Sequence, residues 1–207
     1  MASKKKTTKP AAQAAHANRE AWLIEALPLL QAEVFGPAGL TIPSDVKVAC
    51  SWPGGGSARK RIGECWPRAF SAAKVNEMFI SPRIAEPVPA LDILAHELIH
   101  AIDDCKSGHK APFRKMALAI GLEGKMTATH AGEKLRPVLE GIVAKLGAYP
   151  HSQLDLSARK KQTTRNIKCV CTDEDCGAVF RMTQSWIDRA NIDLKCPVCE
   201  AAAEAQV

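Results

Sequence analysis

The chain has 207 residues, 46% of them apolar and 24% charged, with a net charge of +6, ordinary values for a soluble globular protein of one fair-sized domain plus a small module. No stretch approaches the roughly 20 apolar residues that span a bilayer. The opening "MASKKKTTKPAAQAA" has lysines but no apolar core behind them, so it does not read as a secretory signal. A soluble cytoplasmic protein without membrane partners is expected.

The charge is unevenly spread. Lys4, Lys5, Lys6 and Lys9 place +4 in a tail drawn at residues 1–15, and Arg159, Lys160, Lys161, Arg165 and Lys168 place +5 between 156 and 168. Subtracting both leaves −3 for everything else, so the basicity lies in a tail and a linker. Such segments attract phosphate backbones by counterion release, which makes DNA a candidate partner.

In chain order, "AHANREAWLIEALPLLQAEVF" reads as a helix with Trp22, Leu23, Ala26, Leu29, Leu30 and Val34 on its apolar face and a kink at Pro28. Three strand-like runs follow at 46–52, 61–66 and 75–80, and their short connections predict an antiparallel meander. "SPRIAEPVP" breaks the chain, and a helix starts near Ala90 and ends around "CKSG". Pro112 suits the first turn of the next helix, which runs to Gly121, and another helix spans about 133–147. Residues 150–166 are polar and aperiodic, an interdomain linker. The expected domains are thus 16–149, a linker at 150–166, a module at 167–200 and a C-terminal tail at 201–207.

The stretch "LDILAHELIHAIDDCKSGHKAPF" carries the chemistry. His96 and His100 stand four residues apart, so on a helix both rings leave the same face and can reach one ion at about 2.0–2.1 Å. Glu97 lies about 100° round the helix from His96, beside the metal but out of line with the ligands, where it can take a proton from an attacking water. Leu91, Leu94, Leu98 and Ile102 form an apolar stripe that buries the helix. A catalytic zinc needs a third protein ligand and an open corner. Lys106 stands where the longer metzincin pattern has its third histidine. His109, Glu123, His130, Asp103 and Asp104 are the candidates. His109 is preferred, because "KSG" folds the next helix back along the first; Glu123 between two glycines reads as a turn residue. Asp103 and Asp104 read as groups that contact water, lysines or a ligand histidine. Histidine donors favour zinc over manganese.

Five of the eight cysteines fall between 169 and 199. Cys196-Pro197-Val198-Cys199 has the two-residue gap of a metal knuckle, and Cys171 and Cys176 supply the second pair, with Cys169 in reserve. Four thiolates close the coordination shell, so this second zinc is expected to be structural, holding together a module too small to fold on its own core. Cys50, Cys65 and Cys105 read as small buried side chains.

Together "CSWPGGG", "GECW", "NEMFISPRI", "HELIHA" and "GHKAPFRKMALAIGLEGK" resemble the SprT-like zinc metallopeptidases, the group that includes the Spartan proteases of DNA–protein crosslinks. The resemblance covers roughly 45–200. It implies an α+β fold, with a zincin-like minimal metallopeptidase domain followed by a C-terminal zinc ribbon. It further implies His96, His100 and His109 as zinc ligands, Glu97 as the catalytic acid/base, and DNA-associated proteins among the substrates. The expected function is a zinc metalloendopeptidase whose extended substrate pairs with a strand within 75–80. The rival expectation is a nucleic-acid-binding zinc-ribbon regulator in which the HELIH metal is not catalytic.

Overall fold

The computed structural model of the chain describes residues 16–54, 61–155, 166–190 and 193–206. The basic tail, most of the glycine-rich loop at 55–60 and the basic run at 156–165 therefore lie outside the described residues. The fold is mixed α+β, with three small sheets and five α-helices among those residues. It divides into two compact units, one ending at Leu154 and the other beginning at Asp155.

In the first unit α1 (Arg19–Leu30) starts where the Asn18 side chain accepts a hydrogen bond from the Ala21 amide at 2.8 Å, a capping contact that satisfies one of the orphan donors of the first turn. Trp22, Leu23, Ala26 and Leu30 are buried along one face, while Leu29 packs only partly against the core. Pro28 is held inside the helix, and the irregularity comes a turn later as a wide π-helical turn, Gln31–Phe35.

Strands β1 (Lys47–Cys50), β2 (Gly63–Trp66) and β3 (Glu77–Ile80) form one sheet in the order β1-β3-β2. The predicted antiparallel meander holds for β2 and β3, where Gly63 faces Ile80 and Trp66 faces Glu77. It fails for β1, which runs parallel to β3 with Lys47 opposite Glu77 and Cys50 opposite Ile80. Burial decides the order. Met78 and Ile80 of β3 are fully buried, whereas every residue of β2 is half-buried, so β3 takes the centre and β2 the edge.

Helix α2 (Pro87–Ile102) begins three residues ahead of the expected Ala90, with proline in its first turn where the missing N–H costs nothing. It is buried on nearly every side, from Ala90 through Ala101, as a helix through the middle of a core must be. Its exit turns sharply: Asp104 and Cys105 both adopt left-handed backbone angles, Gly108 follows with φ +52°, and the Cys105 amide closes on the His100 carbonyl at 2.7 Å. The chain reverses within this turn and enters α3 (Ala111–Ala119).

Residues 122–131 form a hairpin that the sequence reading misses, β4 (Leu122–Lys125) against β5 (Ala128–Ala131). Glu123 thus belongs to a strand, paired with His130, and not to a turn. The glycines on either side of Glu123 suggested a turn; Gly124, at φ +93°, instead fits within a strand that carries no apolar alternation. Helix α4 (Leu135–Leu146) completes the unit and packs on α1 and α2. Residues 150–154, drawn as linker, belong to this unit: the Leu154 amide donates to the Pro82 carbonyl at 2.9 Å, and His151 Nε2 lies 2.9 Å from the same oxygen.

In the second unit β6 (Asn166–Cys171) is flanked by β7 (Val179–Thr183) and β8 (Ala203–Gln206), both antiparallel to it. Helix α5 (Gln184–Ala190) follows β7. Of the stretch drawn as a tail, residues 203–206 are therefore sheet; Ala203 faces Cys171 and Gln206 faces Lys168. Among the described residues of this unit the buried ones are Cys169, Cys171, Cys196 and Ala203, which is no apolar core of any size. Among the described residues no helix is long and apolar enough to cross a membrane.

Candidate metal centres

Helix α2 presents His96 and His100 to one side, and the turn behind it returns His109 to the same place. His109 Nε2 lies 3.1 Å from His96 Nε2 and 3.2 Å from His100 Nε2. Three nitrogens bound tetrahedrally at 2.0–2.1 Å from one ion stand about 3.3 Å apart, so the group has the dimensions of a zinc site. Phe113, fully buried at the start of α3, packs against all three rings with centroids 4.8, 4.5 and 5.0 Å away. Burial and the mutual repulsion of the ring charges push His96 down to about 3 and His100 to about 4, and burial lowers His109 as well. The rings are neutral at physiological pH, which is the ligand form.

Of the other candidates, none joins the group. Asp103 turns to the Ser107 amide and hydroxyl, and Asp104 accepts from the Arg68 amide at 2.8 Å and the Asn76 side chain at 3.1 Å. The partner that orients a ligand is instead Thr129 on β5, whose hydroxyl lies 2.8 Å from His96 Nδ1. Only the unforeseen hairpin brings it there, and a lone threonine 33 positions from His96 gives no signal in the sequence.

The three rings open onto a cavity of about 600 Å³. Glu97 lines it, almost wholly buried, and burial, then the neighbouring Cys105 and Glu64, raise its carboxyl to about 8 while Arg61 opposes them. Edge strand β2 forms the facing wall, and its second edge is unpaired among the described residues. Both edges of β3 are taken, by β1 and β2, so the expectation that a substrate pairs within 75–80 is corrected: β1 and β2 are the edge strands, and of these β2 lines the cleft.

Gly63 lets β2 lie this close. A Cβ there would overlap Glu97 Oε1 and sit 2.5 Å from Ile93 Cγ2. Gly63→Ala is therefore expected to cost about 1–3 kcal/mol through overpacking, read as a lowered urea midpoint, and to displace the Glu97 carboxylate. An unchanged midpoint would mean that strand and helix part without strain.

In the second unit the four committed cysteines converge. Cys171 Sγ lies 3.4 Å from Cys199 Sγ and Cys176 Sγ 3.8 Å from Cys196 Sγ, and all four sulfurs lie within 4.8 Å of one another. Tetrahedral zinc at about 2.3 Å from each sulfur sets them about 3.8 Å apart. Cys169 points elsewhere, its thiol donating to the Ile167 carbonyl at 3.8 Å, and takes no part. Backbone amides of Cys199 and Val198 pull Cys196 down to about 7, whereas burial pushes Cys171 up to about 12.

The two centres should therefore differ in the protons they release on binding metal. At pH 7.5 zinc uptake by the histidines is expected to release almost none, and uptake by the thiols about two or more. Calorimetry in buffers of different ionisation enthalpy measures both. Equal release at the two sites would contradict the neutral state of the rings.

No family model, curated protein or solved structure matches the chain. Fold and sites together define a two-unit α+β protein with one group of three histidines and one of four cysteines, each able to hold a metal ion.

Proposed function

We propose that the first unit is a zinc-dependent endopeptidase of the SprT-like, zincin type and that the second is a structural zinc ribbon. The observation that carries this reading is the meeting of three neutral imidazoles at one point on a cleft wall, with a buried carboxylate on the next residue of the same helix. His96, His100 and His109 would hold the ion and leave its fourth side to the cleft. Zinc held there would supply Lewis acidity, lowering the pKa of a water to about 7 and polarising a peptide carbonyl.

The chain's own groups do the rest. Glu97, drawn below its metal-free value by the adjacent cation, takes a proton from the attacking water and hands it to the departing amine. The free edge of β2 pairs with an extended substrate through main-chain hydrogen bonds, which favours loose sequence preference. Phe113 and Thr129 hold the rings in place from behind. In the ribbon Cys171, Cys176, Cys196 and Cys199 would hold a second ion with all four thiolates and give it a structural role only.

Casein and histone digestion by the zinc-loaded chain, with and without DNA, tests this proposal beside a metal count. Two zinc ions per chain with metal-dependent cleavage is the expected result, and stimulation by DNA would extend the substrates to DNA-associated proteins. The rival is a nucleic-acid-binding regulator. It draws on exposed Trp186, with the Arg189 guanidinium 5.4 Å over its ring, a surface suited to stacking a base. Two zinc ions and DNA binding without proteolysis would establish it and overturn the peptidase.

A further inference from the structure

Two thiols that the proposed peptidase chemistry does not use share the cleft. Cys65 lies in β2, and Cys105 in the left-handed turn behind α2; both line the cavity with the three histidines and Glu97. Neither is the fully buried filler that its isolation in the sequence suggests, since both are partly accessible. The Cys105 thiol sits 3.5 Å from the carbonyl oxygen of Cys65 itself. Forty residues of chain separate them, so the fold alone creates the pair.

We propose that Cys65 and Cys105 form a redox-active dithiol on the cleft wall, and that peroxide closes it to a disulfide that shuts the cleft. One thiol attacks hydrogen peroxide, giving a sulfenic acid and one water; the second thiol then attacks that sulfur, forming the S–S bond and releasing a second water. Two electrons and two protons leave the thiols, and the peroxide takes up both. Cys105 is the first nucleophile, because the two side chains act on one another so that the Cys105 thiol is lowered and that of Cys65 is raised.

Geometry links the bond to the site. Cys65 is fixed to the edge strand against which a substrate strand would lie, and Cys105 stands four residues before His109 in the turn that delivers this ligand. A covalent tie between them prevents the two walls from separating to admit an extended chain. The remaining cysteine of this unit, Cys50, lies outside the cleft lining and serves as an internal control.

The regulatory half of this proposal rests on the peptidase reading; the disulfide itself does not. The zinc-loaded full chain is treated with hydrogen peroxide, alkylated and digested with trypsin without reduction. Trypsin releases Cys65 in the peptide 62–68 and Cys105 in 84–106, each with a single cysteine. The expected product is these two peptides joined, separable by dithiothreitol and absent from Cys105→Ser. Recovery of both peptides unlinked, whether alkylated or carrying separate sulfinic acids, would overturn the pair. Casein cleavage is then followed in parallel, with at least a tenfold loss on oxidation of the parent, recovery with dithiothreitol, and no loss in Cys105→Ser. A joined peptide with unchanged cleavage would overturn the gate alone. A reduced chain that never cleaves would fail the peptidase reading and leave the disulfide decided by mass.

Discussion

Glu97→Gln is expected to lower peptide cleavage by about 10³-fold or more while both metal ions stay bound. A factor of that size is about 4 kcal/mol of barrier, within what a positioned proton acceptor supplies. Glutamine keeps the shape that lies against Gly63, so the cleft wall has no reason to move. Its amide cannot take the proton of water. The metal count should hold because, on the proposed reading, His96, His100 and His109 would supply the ligands without help from this side chain.

The same variant carries a second signature that separates lost chemistry from a damaged fold. Burial raises Glu97 from its ordinary 4.5 to about 8, so the folded metal-free chain holds a proton that the unfolded chain gives up. Stability from this group therefore falls as pH rises from 4.5 to about 8 and is level above that. Removing the carboxylate removes the loss. Metal-free Glu97→Gln should be more stable than the metal-free parent, by a margin that widens across that window. His96 and His100 act in the opposite sense: with values near 3 and 4 against an ordinary 6.5, they weaken the fold as pH drops below 6.5. That slope is common to both proteins and cancels in the difference. Urea melts at pH 5, 6.5 and 8.5 measure it. Cleavage at the parental rate would remove Glu97 from the base role, and a margin that shrinks with pH would contradict its burial.

What could be read from the sequence is what depends on short-range geometry. The 96–100 spacing fixes two rings on one helix face, and the glycine-containing turn before His109 sends the chain back toward them. The two-residue gap of Cys196 and Cys199 is likewise a local rule, as is proline at the head of α2. Order in the sheet is not local. β1, β2 and β3 are equally strand-like in sequence, and only the full burial of Met78 and Ile80 makes β3 central and β2 the free edge. The hairpin at 122–131 lacks apolar alternation on β4, so its pairing comes from the fold around it. Thr129 depends on that hairpin and was invisible with it. The alanine-rich end of the chain has weak strand propensity, and it pairs because β6 offers an open edge. The Cys65–Cys105 pair is of the same kind, since it joins two segments that meet only through α2 and β2.

Cys196→Ser is expected to unfold the second unit and to remove one metal ion of two, leaving the histidine site loaded. Among the described residues of this unit the buried side chains are three cysteines and Ala203, so hydrophobic burial there offers little to offset the chain entropy of three strands and a helix. Structural zinc in small modules contributes about 10–16 kcal/mol of apparent binding free energy at neutral pH, more than any other interaction in this unit. Cys196 is built into its knuckle, because the Val198 amide donates to its sulfur at 3.4 Å and the Glu200 amide to its carbonyl at 3.0 Å. A serine hydroxyl is a poor zinc ligand at this pH and cannot replace the thiolate. Limited proteolysis should then cut within 166–206 in the variant and not in the zinc-loaded parent. Cys169→Ser supplies the contrast: its sulfur faces the Ile167 carbonyl and is no ligand, so the ion stays and the sites within 166–206 remain protected. If Cys169→Ser lost the metal and Cys196→Ser kept it, the four-cysteine assignment would be wrong. If Cys196→Ser lost the metal yet stayed protected, the sheet would be self-supporting and the ion would need a role other than holding it together.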